Sequence, residues 1–181
     1  MKFKALNKSY TKFSSVLIIL ICGYPGVGKT TLANELGPLI NAVILSTDKI
    51  RKELIDTPNY DEKEKKLIYD VLLLIAKYLH NAGKHCILDA TFNNQKAIDD
   101  IKKGLNLTDD QFKIVECVCP EELIISRIQN RKSGYSDADV SIYKMIKEKY
   151  ETIEEKHITV DTSHSLKKIV AEVANRIKNE P

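Results

Sequence analysis

Arginine is scarce in this chain. Of 28 basic residues in 181, only Arg51, Arg127, Arg131 and Arg176 are arginine, and the rest are lysine. Lysine serves wherever a positive charge suffices, whereas the planar guanidinium fork suits phosphate oxygens and stacking on bases. Each arginine is therefore worth locating, except Arg176, which the pattern of the last helix assigns to a solvated surface.

Other absences narrow the class. No basic stretch is interleaved with aromatics, which argues against a platform for long nucleic acid. The net charge of +3 permits an anionic partner the size of a nucleotide. Four cysteines, at 22, 86, 117 and 119, have neither zinc-finger nor redox spacing. They read as buried reduced thiols of a cytoplasmic protein, with Cys117 and Cys119 at alternate positions of one strand. His80, His85, His157 and His164 are scattered without metal-ligand spacing. No serine or cysteine pairs with a base. No apolar run approaches the ~20 residues needed to span a bilayer. The basic start "MKFKALNKSYTKFSS" before seven apolar residues has the look of a signal peptide. The run is short, however, and no small-residue cleavage site follows it, so export is not expected.

What is present is an ordinary globular balance, 43% hydrophobic and 29% charged. Five short apolar segments read as strands: Val16–Cys22, Ala42–Leu45, Cys86–Leu88, Phe112–Val118 and Ile158–Val160. Helical patterns separate them. Lys29–Leu36 is expected to stop at Gly37-Pro38, and Asp48–Ile55 before Pro58. Asp61–Asn81 closes at Gly83, and Gln95–Lys103 at Gly104. Glu121–Arg131 follows Pro120, Asp137–Glu155 follows a Ser136 cap, and Leu166–Lys178 comes last. Alternating strands and helices predict an α/β three-layer sandwich: a five-stranded parallel sheet with helices on both faces. No linker, repeat or low-complexity tract interrupts it. Residues 1–14 read as an N-terminal extension and 15–181 as a single domain. The "DEKEKK" run reads as the solvated first turn of a helix.

The first strand runs directly into "GYPGVGKTT". This matches G-x-x-x-x-G-K-[ST] at Gly23, Gly28, Lys29 and Thr30. Glycines let backbone N–H groups turn inward toward phosphate oxygens, and the following helix aims its positive end at the same place. Lys29 bridges the outer phosphates of a nucleotide. The Thr30 hydroxyl suits Mg²⁺, a hard cation that prefers oxygen. The expected ATP-binding set is Gly23, Gly26, Val27, Gly28, Lys29, Thr30 and Thr31 of this stretch, with Arg127 and Arg131 from further along the chain.

Ligands of open parallel sheets bind beyond the C-terminal strand ends. Asp48 follows "AVILST" and Asp89 follows "CIL". Asp48 and Arg51 share one helical face. The acid is placed to orient and deprotonate an acceptor hydroxyl, and the arginine to neutralise a transferred phosphoryl group. Asp89 is placed to hold Mg²⁺. Arg127 and Arg131, four apart on one helix, precede a short turn with Gly134 as a hinge. They read as a lid over about 127–140 that closes on phosphates and excludes competing water.

The whole pattern resembles the small P-loop kinases related to the kinase domain of phage polynucleotide kinase. That group, an AAA-type ATP-binding kinase domain, includes gluconokinase, chloramphenicol phosphotransferase, the zeta-type toxins and seryl-tRNA kinase. The likeness rests on "GYPGVGKTT", "STDKIRKEL", "ILDATFNN" and "VECVCPEELIISRIQNRK" with "SDAD" behind it, spanning about Val16 to Asp161. It implies a P-loop NTPase fold with sheet order 2-3-1-4-5. It implies Asp48 as general base, Arg51 at the acceptor or transferred phosphate, and Lys29 and Thr30 at phosphates and metal. It implies Arg127 near the adenine, Arg131 on the phosphates, Asp89 as the acid ending the third strand, and "VDTSH" near the adenine. Lys96 and Ala97 stand where that group often carries an arginine.

The expected activity is ATP- and Mg²⁺-dependent transfer of the γ-phosphoryl group to a hydroxyl, with Lys29, Asp48, Arg51 and Arg131 in the catalytic set. A 5′-hydroxyl of a nucleic-acid end or nucleoside is the first choice of acceptor, and a small sugar-acid-like metabolite follows closely. A nucleoside monophosphate kinase and a non-transferring nucleotide switch remain as alternatives. No membrane partner is expected, and the sequence assigns no oligomeric state.

Overall fold

A computed structural model of the chain describes residues 13, 15–92, 94–132 and 134–179. The expected extension, 1–14, lies outside these apart from Phe13, whose ring meets His85 edge-on at 5.3 Å. Five strands form one sheet: β1 Ile18–Cys22, β2 Ala42–Ser46, β3 His85–Asp89, β4 Phe112–Val118 and β5 Ile158–Asp161. All pair in parallel, in the order β2-β3-β1-β4-β5. This is the α/β sandwich and strand order expected above.

The central strand explains the layering. Ile18, Ile19, Leu20, Ile21 and Cys22 are all fully buried. Ile19 and Ile21 pack toward α1 (Lys29–Ile40) and α7 (Leu166–Asn179). Ile18, Leu20 and Cys22 pack toward α2 (Thr47–Leu54), α3 (Glu62–Asn81) and α4 (Gln95–Gly104). A strand covered on both faces has no polar side to alternate with, hence its continuous apolar run. Burial of each such side chain contributes about 1.5–3 kcal/mol. Among the described residues no helix is long and apolar enough to cross a membrane.

Several boundaries depart from the sequence expectation, four of them at helices in ways that bear on the packing or the site. Helix α1 continues through Gly37-Pro38 to Ile40 and stops at Asn41, which takes a left-handed φ of 55°. A Cβ on Gly37 would stand 2.8 Å from the Ile44 side chain. This glycine lets the helix approach β2 and does not end it, while fully buried Ile40 holds the last turn. In α2, Ser46 occupies the N-cap position, so Asp48 lies inside the first turn. Helix α5 is Glu121–Gln129, which leaves Arg131 in the following loop. Helix α6 is only Val140–Lys149, and its cap is Asp139, not Ser136. The chain leaves α6 because Tyr150 turns in against Tyr24, at 4.5 Å between ring centroids, and Ile153 enters the core.

Candidate active site

Strands β1, β2 and β3 end side by side. Their register aligns Ile21 with Asp89 and Ser46 with Asp89. Parallel strands deliver their C-terminal loops to one edge, so the glycine loop, the start of α2 and the acid of β3 converge. A cleft of about 1250 Å³ opens there. It is lined by Gly26, Gly28, Lys29, Thr30, Thr31, Asp48, Arg51, Asp89, Arg127 and Arg131 among others. Gly23 and Val27, expected at the nucleotide, do not line it. Gly23 has φ +128°, and a Cβ there would stand 2.4 Å from the Cys117 carbonyl oxygen of β4. Its role is to let the loop leave the sheet. The Val27 side chain is fully buried, and its carbonyl faces α5 and β5.

Lys29 is buried inside the loop it follows. Its Nζ donates to the carbonyls of Gly23 and Tyr24, both at 2.9 Å. Burial lowers its pKa, and the nearby Asp89 carboxylate opposes that shift. Thr30 Oγ1 donates to Asp89 Oδ2 at 2.7 Å. Asp89 is 3% exposed, and burial raises its pKa against the pull of Lys29 and the Thr30 bond. Hydroxyl and carboxylate oxygens side by side, next to a phosphate-type loop, are hard donors of the kind Mg²⁺ takes. Thr30 and Asp89 are therefore the residues that would hold such an ion, and it would supply positive charge beside the loop. No group of three or more His, Cys, Asp or Glu side chains is arranged for a metal among the described residues.

Across the cleft, Arg51 Nη1 lies 3.3 Å from Asp48 Oδ1. The shared helical face read from the sequence therefore brings the two into contact. Arg51 is also held by a residue that the sequence reading assigned to solvent. Glu64 Oε1 accepts from Arg51 Nε at 2.8 Å, and both side chains are buried. Glu64 Oε2 accepts from the backbone N–H groups of Asn59 and Tyr60, at 2.7 and 3.2 Å. So "DEKEKK" is solvated at its lysines, and its fourth residue is a buried anchor. Only the core row Glu64, Ile68, Leu72 and Ala76 on one face of α3 gives a hint of that in the sequence. The Tyr60 ring lies under the guanidinium, 4.8 Å from Arg51 Cζ to the centroid. Tyr60 has a left-handed φ of 58°, a conformation that costs a non-glycine residue about 1–3 kcal/mol and needs such support.

The expected lid divides in two. Arg127, on α5, binds the protein itself. Its Nη1 donates to the Val27 carbonyl and to Thr162 Oγ1, each at 3.1 Å, and its Nη2 to the Thr162 carbonyl at 2.8 Å. It thereby ties the glycine loop to the end of β5, in the "VDTSH" stretch. Arg131 lies past the helix, and its Nη1 donates to the Ser136 and Ala138 carbonyls at 2.9 and 3.4 Å. The same loop reaches across the cleft through Asp137. Its carboxylate pairs with Lys52 of α2 at 2.7 Å and accepts from the Tyr60 hydroxyl. Burial, then the Asp137 bond, pushes the Tyr60 phenol up to about 12. Neither Lys52 nor Asp137 stood out in the sequence, because each is an ordinary surface charge until the fold joins them.

The comparisons with known proteins agree with this architecture. The model of a family described as "AAA domain" matches residues 18–153. Uncharacterized proteins of Mycobacterium tuberculosis are 26% identical over 145 residues, covering 74% of this chain. The chain spans only 29% of the length of those relatives. A Dictyostelium discoideum protein named "Probable gluconokinase" is 23% identical over 188 residues, covering 96% of this chain and 92% of that protein. Among solved structures, a sugar kinase from Janibacter superposes with a TM-score of 0.73 at 14% identity, over 92% of this chain and 96% of that one. The glycine loop, the strand order and the matched span carry one conclusion: the chain belongs to the family described as "AAA domain".

Proposed function

We propose that this protein transfers the γ-phosphoryl group of ATP to an acceptor hydroxyl, with Mg²⁺ held by Thr30 and Asp89. The observation that carries the reading is Asp48. It is a carboxylate 3.3 Å from a buried guanidinium, in the cleft that Lys29, Thr30 and Asp89 also line. A monophosphate acceptor has no need of such a base, because its nucleophilic oxygen is already deprotonated.

When bound, Mg²⁺ supplies positive charge to the outer phosphate oxygens. The other work falls to the chain. Backbone N–H groups of Gly26, Gly28, Lys29, Thr30 and Thr31 orient the phosphates. The Lys29 ammonium leaves its two loop carbonyls for phosphate oxygens. Asp48 accepts the proton of the acceptor O–H as the new P–O bond forms. The bond from the γ-phosphorus to the bridging oxygen breaks, and ADP leaves with that electron pair. Arg51, fixed by Glu64 and Tyr60, keeps guanidinium N–H groups for the transferred group. Arg131 exchanges its loop carbonyls for phosphate when the lid closes, and Arg127 holds the loop beneath. The favoured acceptors are a 5′-hydroxyl of a nucleoside or nucleic-acid end and a small sugar-acid-like metabolite. The gluconokinase and sugar kinase likenesses favour the metabolite.

The test incubates γ-labelled ATP and Mg²⁺ with the protein and either 5′-hydroxyl oligonucleotides or pooled hydroxylated metabolites, with nucleoside monophosphates offered in a parallel reaction. Label passing to one pool supports the reading and names the acceptor class. Label passing only to nucleoside monophosphates overturns it. Nucleotide binding without transfer to any hydroxyl overturns it in favour of a switch.

A further inference from the structure

Helix α3 carries a second, unused face. Its buried row is Glu64, Ile68, Leu72 and Ala76. On one flank of that row stand Leu67, Val71, Leu74 and Tyr78. Leu67 is 52% exposed, Leu74 54% and Tyr78 70%, and Val71 is half-buried. Isolated apolar residues on a surface are ordinary, but four in one stripe are not. Their spacing of four, three and four residues is that of a helix-pairing seam. The stripe faces outward at the sheet margin. Strand β2 is an edge strand, and its exposed Val43 points to the same side of the sheet as Leu45, which packs in the α3 layer. The other flank of α3, with Lys65 and Tyr69, lines the cleft, so anything docked on the stripe leaves the cleft open.

We propose that this stripe docks a second copy of the chain, with the two α3 helices antiparallel about a twofold axis. The charges beside the seam select the partner. In an antiparallel pair, Val71 of one helix packs against Leu74 of the other, and Leu67 against Tyr78. That register brings Asp70 opposite Lys77 of the second copy, and the twofold repeats the pair. The two are of opposite sign, and Lys77 forms no ion pair among the described residues. Among the described residues Asp70 pairs with exposed Lys66, at 2.7 Å, a contact weak enough in water to be shared. A parallel arrangement offers no such match, because Asp70 would then face the apolar Ile75. An isologous twofold contact is also the commonest way for a soluble chain to cover such a stripe.

The test is sedimentation equilibrium of the whole chain from micromolar to millimolar concentration. The expected result is a reversible rise to twice the chain mass. Leu74→Glu, at an exposed position, is expected to stay monomeric while keeping its fold and its nucleotide binding. Asp70→Lys alone and Lys77→Asp alone place like charges together and move the midpoint up by roughly tenfold. The double exchange restores it. The proposal is overturned by a monomer at every concentration, by a dimer whose midpoint ignores these changes, or by failure of the double exchange. A monomer that instead floats with vesicles of anionic phospholipid overturns it in favour of a membrane surface.

Discussion

Arg51 reaches the cleft on a support that lies 13 residues further along the chain: its Nε donates to Glu64 Oε1 at 2.8 Å, with both side chains buried. The other oxygen of Glu64 fixes the backbone of Asn59 and Tyr60, and Tyr60 stacks beneath the same guanidinium. One carboxylate therefore sets both the edge and the face of the arginine. Removing a member of a buried pair leaves an uncompensated charge, which costs about 3–5 kcal/mol. Glu64→Ala is expected to lose that much stability in urea unfolding. Glu64→Gln keeps an acceptor for Arg51 but only one carbonyl oxygen for three donors. It is expected to lose less stability while still lowering kcat. Equal stability of Glu64→Ala and wild type would contradict the anchoring role.

Asp48 carries the chemical part of the proposal. General-base catalysis contributes typically about 10²–10⁴-fold. Asp48→Asn is expected to lower kcat by that range with the ATP dissociation constant unchanged, because in the proposed reaction Asp48 meets the acceptor and not ATP. Isothermal titration and a steady-state assay separate the two quantities. Near-normal turnover in this variant removes the base from the mechanism.

Asp137 joins the loop after α5 to α2 and to Tyr60, so its loss is expected to loosen that loop and not the fold. The Lys52 pair is partly exposed and worth no more than about 1 kcal/mol. Asp137→Ala is expected to unfold within about that margin of wild type. Trypsin should cut it severalfold faster after Arg131 and Lys132, and an ATP analogue should slow that cut. An unchanged cleavage rate would mean that the loop is held by other contacts.

His85 ties the start of β1 to β3. Its Nδ1 accepts from the Leu17 N–H at 2.9 Å, which requires a ring nitrogen without a proton. Burial lowers its pKa below the usual 6.5. Between the lowered value and 6.5 the unfolded chain binds more protons than the folded one, so stability rises with pH through that window. Acidification below about 6.5 is therefore expected to lower Tm progressively. His85→Gln keeps an acceptor oxygen for Leu17 and has nothing to titrate, so its Tm should fall less over the same range. Parallel melting curves from pH 5 to 7.5 make the comparison.

Local chemistry determined much of this protein. The all-apolar strands, the glycines around Lys29, the acid that ends β3 and the acid that follows β2 are visible in sequence order. Each follows from neighbouring residues alone: a strand buried twice needs no polar face, and a phosphate loop needs glycine where φ is positive. Parallel strands then bring their ends together, so Asp48 and Asp89 reach one cleft with the glycine loop. Gly37-Pro38 misled because a glycine that admits a neighbouring side chain and one that ends a helix look alike in sequence. Only the tertiary structure decided that Glu64 is an anchor, that Arg127 binds the loop backbone, and that Asp137 bridges to Lys52 and Tyr60. Those roles join residues 13 to 100 positions apart. A charge on a helix carries no local mark of the partner that folding brings to it, and burial of an ion pair is a property of the packed chain.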